Sequence, residues 1–381
     1  MRGRVHACGA RLEEVREGGC AFRAPRGSRH APGGPGESEA RARLGTPRRL
    51  SGARHAHGGR RPGARDVKVL VTGANGFVGS RLVTRLCTDG HEVVGARGPD
   101  TAAAAPAAAR ATGVTWVSLD VTDDDSVRAC VAPPCDAVVH LAGLALASEA
   151  NEHPARAWRV NADGTARVAW QLADVSKGRR AAPLLLVASS AEVYVPRTDR
   201  PHVESDPVAP VTGYAASKLG GELGSWQLWR AAGVRVIVSR AFPHTGAGQD
   251  PRFWIPARAR ILCHAKRTNA PAVNVGDLSA VRDFLHVDDV VDAYVRLLTR
   301  GVAGETYNIA SGQPVTLEAI HSRLEQLLGI RLVREVDASQ IRRDARPYLV
   351  GDASKLRAAT GWAPSHSLDD MLRDVLDAQA H

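Results

Sequence analysis

Val67-Lys68-Val69-Leu70-Val71-Thr72-Gly73-Ala74-Asn75-Gly76-Phe77-Val78-Gly79 is the stretch whose reading decides the fold. Its first half is short, apolar and rich in β-branched residues, the composition of a buried strand. Three glycines at a spacing of three follow, and Ser80 to Leu86 continue as a helix. A strand that feeds a glycine turn opening a helix lets backbone N–H groups approach a pyrophosphate at the positive end of the helix dipole. Gly73, Asn75, Gly76, Phe77, Val78 and Gly79 are therefore assigned to a dinucleotide cofactor.

The segments that follow repeat the alternation. His91 to Ala96 read as a second strand, which ends in Arg97 and not in an acidic residue. An acid there would hold the ribose of NAD, whereas an arginine accommodates the 2′-phosphate of NADP. NADP is the expected cofactor, with NAD as the alternative. Val114 to Leu119 form a third strand before Asp120 and Val121. Asp120 either meets the adenine edge or caps the helix begun by Asp123-Asp124-Asp125. Asp136 to Gly143 read as a strand ending in Leu141, Ala142 and Gly143, small enough to pass beneath the nicotinamide half. One long helix carrying Trp158, Val160 and Asn161 comes next, then a strand over Pro183 to Ala188. This rhythm predicts an α/β fold, a doubly wound parallel sheet of Rossmann type. Residues 66–243 are expected to form the dinucleotide-binding half. Residues 244–381 are expected to form a smaller α+β substrate half, the chain crossing between them near 240–310.

The chain of 381 residues carries a formal charge of +10, and residues 1–65 hold all of it: 15 Arg, no Lys and 5 Glu. The rest is balanced, so the charge does not imply a nucleic-acid partner for the folded body. Rich in Arg, Gly, Ala and Pro, residues 1–65 read as a disordered basic extension, dispensable or ahead of a later start such as Val67. None of the six cysteines forms a Cys-x-x-Cys pair. Free thiols in a reducing, cytoplasmic compartment are expected, with no metal site. No apolar run approaches the ~20 residues of a membrane span.

Two further segments carry chemistry. Ser190 and Glu192 follow the Pro183–Ala188 strand, and Tyr214 and Lys218 stand four apart on the next helix, hence on one face. An ammonium beside a phenol favours the phenolate, so Tyr214 is expected to exchange a proton nearer neutral pH than free tyrosine. Ser190 would hold a carbonyl or hydroxyl oxygen in line with that phenol.

Taken together, Thr72–Gly79, His140–Gly143, Asn161 with Gly164-Thr165, the Ser190 segment, and Tyr214 with Lys218 resemble the extended short-chain dehydrogenase/reductase family acting on nucleotide sugars. The resemblance covers residues 67 to 380. Arg240–Gln249, Val275–Phe284 and Val350–Trp362 narrow it to the GDP-mannose branch, with GDP-6-deoxy-4-keto-mannose reductases the nearest likeness. Pro243 stands where that branch has Asn, and Val195 where it has Gly.

The resemblance implies NADP-dependent reduction of a 4-keto-6-deoxy nucleotide sugar by a homodimer. Tyr214 would deliver the proton, Lys218 hold the nicotinamide ribose with support from Asn161, and Ser190 orient the carbonyl. Ala191, Glu192, His244, Arg282 and Arg346 are the substrate-side candidates, the two arginines for the diphosphate. Glu192 matches the acid/base of the 4,6-dehydratases, so a GDP-mannose 4,6-dehydratase stays open beside the reductase. A 4-epimerase and a non-catalytic NADP-binding sensor are the remaining alternatives.

Overall fold

Lys68–Thr72 forms the first strand of the sheet, as its β-branched run predicts, and hands the chain directly to the glycine turn. The computed structural model describes residues 67–99, 113–177, 182–340 and 347–379. The extension expected over 1–65 and Arg346 lie outside these residues. Those described all belong to one compact unit, Arg49–His381.

The strands are β1 (Lys68–Thr72), β2 (Glu92–Arg97), β3 (Val114–Ser118), β4 (Ala137–His140), β5 (Leu184–Ser190) and β6 (Arg235–Ala241), joined by Glu305–Ile309. They build a seven-stranded sheet in the order Glu305–Ile309, β6, β5, β4, β1, β2, β3. All its pairings are parallel. The helices are α1 (Phe77–Thr88), α2 (Asp124–Val131), α3 (Ala147–Glu152), α4 (Pro154–Ala157), α5 (Gly164–Ser176), α6 (Gly213–Ala232), α7 (Trp254–Thr268), α8 (Val287–Arg300), α9 (Leu317–Leu328), α10 (Ser354–Thr360) and α11 (Leu368–Asp377).

A sheet covered on both faces needs apolar residues at every strand position, and the alternation distributes them. Val69 and Val71 join the core beneath α1 and α8, whereas Leu70 joins the core under α2, α5 and α6. Leu184 and Leu186 against Leu185 and Val187 split the same way in β5. A third core fills the C-terminal lobe, where α7, α9 and α11 meet the strand Ala272–Val275.

The strand order reverses between β1 and β4, opening a crevice at their carboxyl ends. Thr72 stands opposite His140 there. The Thr72 hydroxyl accepts from Leu141 N and Ala142 N and shares a hydrogen bond with His140 Nδ1 at 2.9 Å. Burial pulls His140 down to about 3, with the Lys218 charge acting in the same direction, so the ring is neutral and structural.

The long helix expected around Asn161 runs without interruption from Pro154 to Ser176, but it is not α-helical throughout. Pro154 opens α4, and Trp158–Asp163 then widen into a π-helical segment before α5. The Thr165 hydroxyl donates to Asn161 O at 2.6 Å. Opposite it, α6 carries Gly220-Gly221, glycines that normally weaken a helix interior. A Cβ on Gly221 would stand 2.7 Å from Asn161 O, so the close approach of α6 to this segment requires its absence.

Candidate active site

One cavity of about 1580 Å³ runs from the crevice between β1 and β4 to the C-terminal lobe. Gly73, Asn75, Gly76, Phe77, Val78 and Gly79 line its cofactor end. A Cβ on Gly79 would stand 2.1 Å from Gly73 O, and one on Gly73 would stand 2.8 Å from Ala142 N. Gly76 caps α1 without a side-chain bond, and no acidic residue occupies the first turn of that helix. Its N–H groups are thus available to an anion, and this cradle fits the pyrophosphate of a dinucleotide.

Leu141, Ala142 and Gly143 form the next part of the wall, and Asp120 and Val121 line it from the β3 side. Asp120 does not cap α2; Asp123 does, accepting from Ser126 N at 2.8 Å. The Asp120 Oδ1 instead accepts from Thr122 N and Thr122 Oγ1. Arg97 ends β2 half-buried and is not among the lining residues, whereas Gly98 and Pro99 after it are.

Four elements bring the chemistry together. β5 extends through Ser190, whose Oγ accepts from Glu192 N at 3.2 Å. Thr212 caps α6 by accepting from Ala215 N, and Asn151 of α3 accepts from Tyr214 N at 3.1 Å, fixing the first turn that presents the phenol. Lys218, one turn later, donates to Ala188 O at 3.0 Å. Asn161 is fastened to Leu144 N, Leu144 O and Ser217 Oγ. A Cβ on Gly143 would meet Asn161 Oδ1 at 2.9 Å and Lys218 Nζ at 3.3 Å, so both groups converge behind that glycine. Ser190, Ala191, Glu192, Tyr214 and Lys218 all line the cavity, as do Pro243, His244 and Arg282. His244 Nδ1 donates to Phe242 O at 2.9 Å, and burial lowers the proton affinity of its ring. Val195 is not among the lining residues.

The expected acidification of Tyr214 is corrected by the structure. Burial pushes the phenol above its ordinary range, the Glu192 carboxylate pushes the same way, and the Ser190 side chain opposes them. Lys218 is perturbed as well: burial pulls it from its ordinary 10.5 down to about 8 against the Glu222 carboxylate. Activity that depends on the Lys218 charge is therefore expected to fall above pH ~8. Between 8 and 10.5 the unfolded chain binds the extra proton, so the Lys218 contribution to stability rises with pH over that window. A pH–rate profile and unfolding midpoints measured together check this; an activity loss that tracks unfolding would contradict it.

Sequence reasoning missed Glu222, Arg240 and Arg258. Glu222 lies one turn beyond Lys218, 1% exposed, and accepts from Arg240 Nε at 3.0 Å and Nη2 at 2.7 Å and from Ser189 Oγ. Its spacing of four from Lys218 was the available signal.

Comparison with known proteins agrees with this geometry. The GDP-6-deoxy-D-mannose reductase of Pseudomonas aeruginosa is 33% identical over 318 residues, covering 81% of this chain and 96% of that protein. The structure of RMD from Pseudomonas aeruginosa complexed with NADPH superposes with a TM-score of 0.68 at 32% identity, covering 82% and 98%. DesIV, a dTDP-glucose 4,6-dehydratase from Streptomyces venezuelae with NAD and TYD bound, gives 0.71 at 25% identity, covering 81% and 95%. The protein is an NAD(P)-dependent enzyme of the oxidoreductase type. The model of the NAD dependent epimerase/dehydratase family matches residues 69–310, and the chain belongs to that family.

Proposed function

We propose that the protein reduces the keto group of a 4-keto-6-deoxy sugar linked to GDP, using NADPH. The observation that carries this reading is the placement of Ser190, Tyr214 and Lys218 together on the wall of one cavity. A phenol held protonated by burial and by Glu192 is suited to give a proton to a ketone oxygen. An enzyme that began by removing a hydroxyl proton would need the phenolate. The 33% identity to a GDP-6-deoxy-D-mannose reductase supports the same choice.

Bound, the dinucleotide supplies the hydride. The Tyr214 hydroxyl gives its proton to the substrate oxygen while Ser190 Oγ hydrogen-bonds that oxygen and orients it. The Lys218 ammonium, one turn along α6, offsets the negative charge left on Tyr214 and holds the cofactor ribose. His244 and Arg282 act on the substrate side. Asp120 and Val121 hold the adenine half, and Arg97 favours the 2′-phosphate.

A 4,6-dehydratase is the second reading, favoured by Glu192, which lines the cavity close enough to Tyr214 to influence its proton. Incubation with GDP-mannose alone, and separately with GDP-6-deoxy-4-keto-mannose and NADPH, decides between them. Consumption of NADPH only in the second supports the reductase; loss of water from GDP-mannose replaces it with the dehydratase.

The enzyme is further proposed to be a cytoplasmic homodimer. Trp158, Trp170 and Leu223 are exposed on the π segment, α5 and α6 of the cofactor half, and they offer apolar side chains for a second copy to cover. The described cysteines are free, and no described helix is long and apolar enough to cross a membrane. Sedimentation should give twice the chain mass, and Leu223→Arg should give monomers; a monomeric parent protein would refute it.

A further inference from the structure

Arg258 is a cation in a place where a folded chain seldom leaves one alone. It stands on α7, 5% exposed, among Ile255, Ala259 and Leu262, on the face that packs into the C-terminal lobe. Its Nη1 donates to Asn274 O at 2.8 Å, and its Nε has no partner. No carboxylate pairs with it among the described residues. Glu325 of α9, in the same lobe, is taken by Arg334 Nη2 at 2.7 Å and by Leu332 N. The guanidinium lies 5.9 Å from the Trp254 ring centroid, and Arg258 lines the cavity of the active site.

A buried guanidinium whose hydrogen bond goes to a single carbonyl leaves strong donors unsatisfied, which is expensive unless a ligand supplies acceptors. With Nη1 taken by Asn274, the side of the group carrying Nε and Nη2 remains: two parallel donors in a fixed plane. Such a fork matches paired acceptors, either two oxygens of a phosphate or the O6 and N7 edge of guanine. The position in the lobe decides which part of a substrate it meets. Ser190, Tyr214 and Lys218 hang from the main sheet, whereas Arg258 belongs to the lobe built on α7, α9 and α11. A sugar held at Tyr214 would extend its nucleotide toward that lobe.

We propose that Arg258 grips the nucleotide end of the substrate with its Nε/Nη2 fork, through paired acceptors of the diphosphate or of the base. The inference rests on the nucleotide-sugar reading above and adds the residue that anchors its nucleotide.

Calorimetric titration of the full chain, saturated with NADPH, with GDP and with UDP tests it. Arg258→Met is expected to weaken GDP about 10–100-fold, with NADPH affinity unchanged. An equal loss for UDP assigns the fork to the diphosphate; a loss confined to GDP assigns it to the guanine edge. Arg258→Lys keeps a charge without the fork and is expected to fold as the parent does and still bind GDP weakly. Unchanged GDP affinity in both variants overturns the inference, as does a loss matched by equal loss of NADPH. Failure of both variants to fold makes Arg258 a structural residue and overturns it too. A parent protein that binds NADPH but neither nucleoside diphosphate overturns the nucleotide-sugar reading itself.

Discussion

Tyr214→Phe is expected to lower turnover about 10³-fold while leaving the affinities for NADPH and for the nucleotide sugar within a factor of three. The substitution removes one oxygen. The ring stays, the Thr212 cap and the Asn151 contact that fix the first turn of α6 use backbone N–H groups, and Lys218 remains on Ala188 O. The Ser190 side chain still reaches the substrate oxygen, so binding survives and proton delivery does not. Because burial and Glu192 hold the phenol above its ordinary range, the parent enzyme should show no alkaline limb from Tyr214 near neutral pH. Single-turnover kinetics with a deuterated dinucleotide separate the step from binding. A variant that keeps a tenth or more of the parent turnover would place the proton donor elsewhere, with Glu192 the first alternative to replace.

The first strand and the glycine turn after it could be read in advance because their signals are local. Val69 to Thr72 and the three glycines are adjacent, and at Gly73 and Gly79 a Cβ would collide with neighbouring backbone. The π-helical segment at Trp158–Asp163 could not be read, since an extra residue in a helical turn leaves the i, i+4 pattern of its neighbours intact. Tyr214 and Lys218 were found together by their spacing, but the sign of their electrostatics was misjudged. Proximity to a cation is visible in a sequence; burial, which dominates both groups here, is not. Arg258 was hidden for a related reason. An arginine on a helix reads as solvated, although its place between Ile255 and Leu262 already put it on the apolar face.

Glu222 was overlooked on the same assumption, and its replacement carries the largest expected effect on stability. Its carboxylate is held by Arg240, 7% exposed, whose guanidinium also lies 4.8 Å from the Tyr194 ring centroid. Glu222→Leu strands that cation in the core between α6 and β6, which should cost about 3–5 kcal/mol in urea unfolding. The same substitution frees Ser189, the residue before Ser190, and removes the one carboxylate that favours the charged form of Lys218. The alkaline limb near pH 8 should therefore move to lower pH. A second replacement separates the two effects. Glu222→Leu combined with Arg240→Met removes both charges and should recover most of the stability, because an apolar pair of similar volume often matches a buried ion pair. The shifted limb should persist in the double variant, since Lys218 still lacks its carboxylate. If stability and the limb recovered together, Glu222 would act on the site only by keeping α6 packed against the sheet. If neither moved in the single variant, the pair would carry no energy at all.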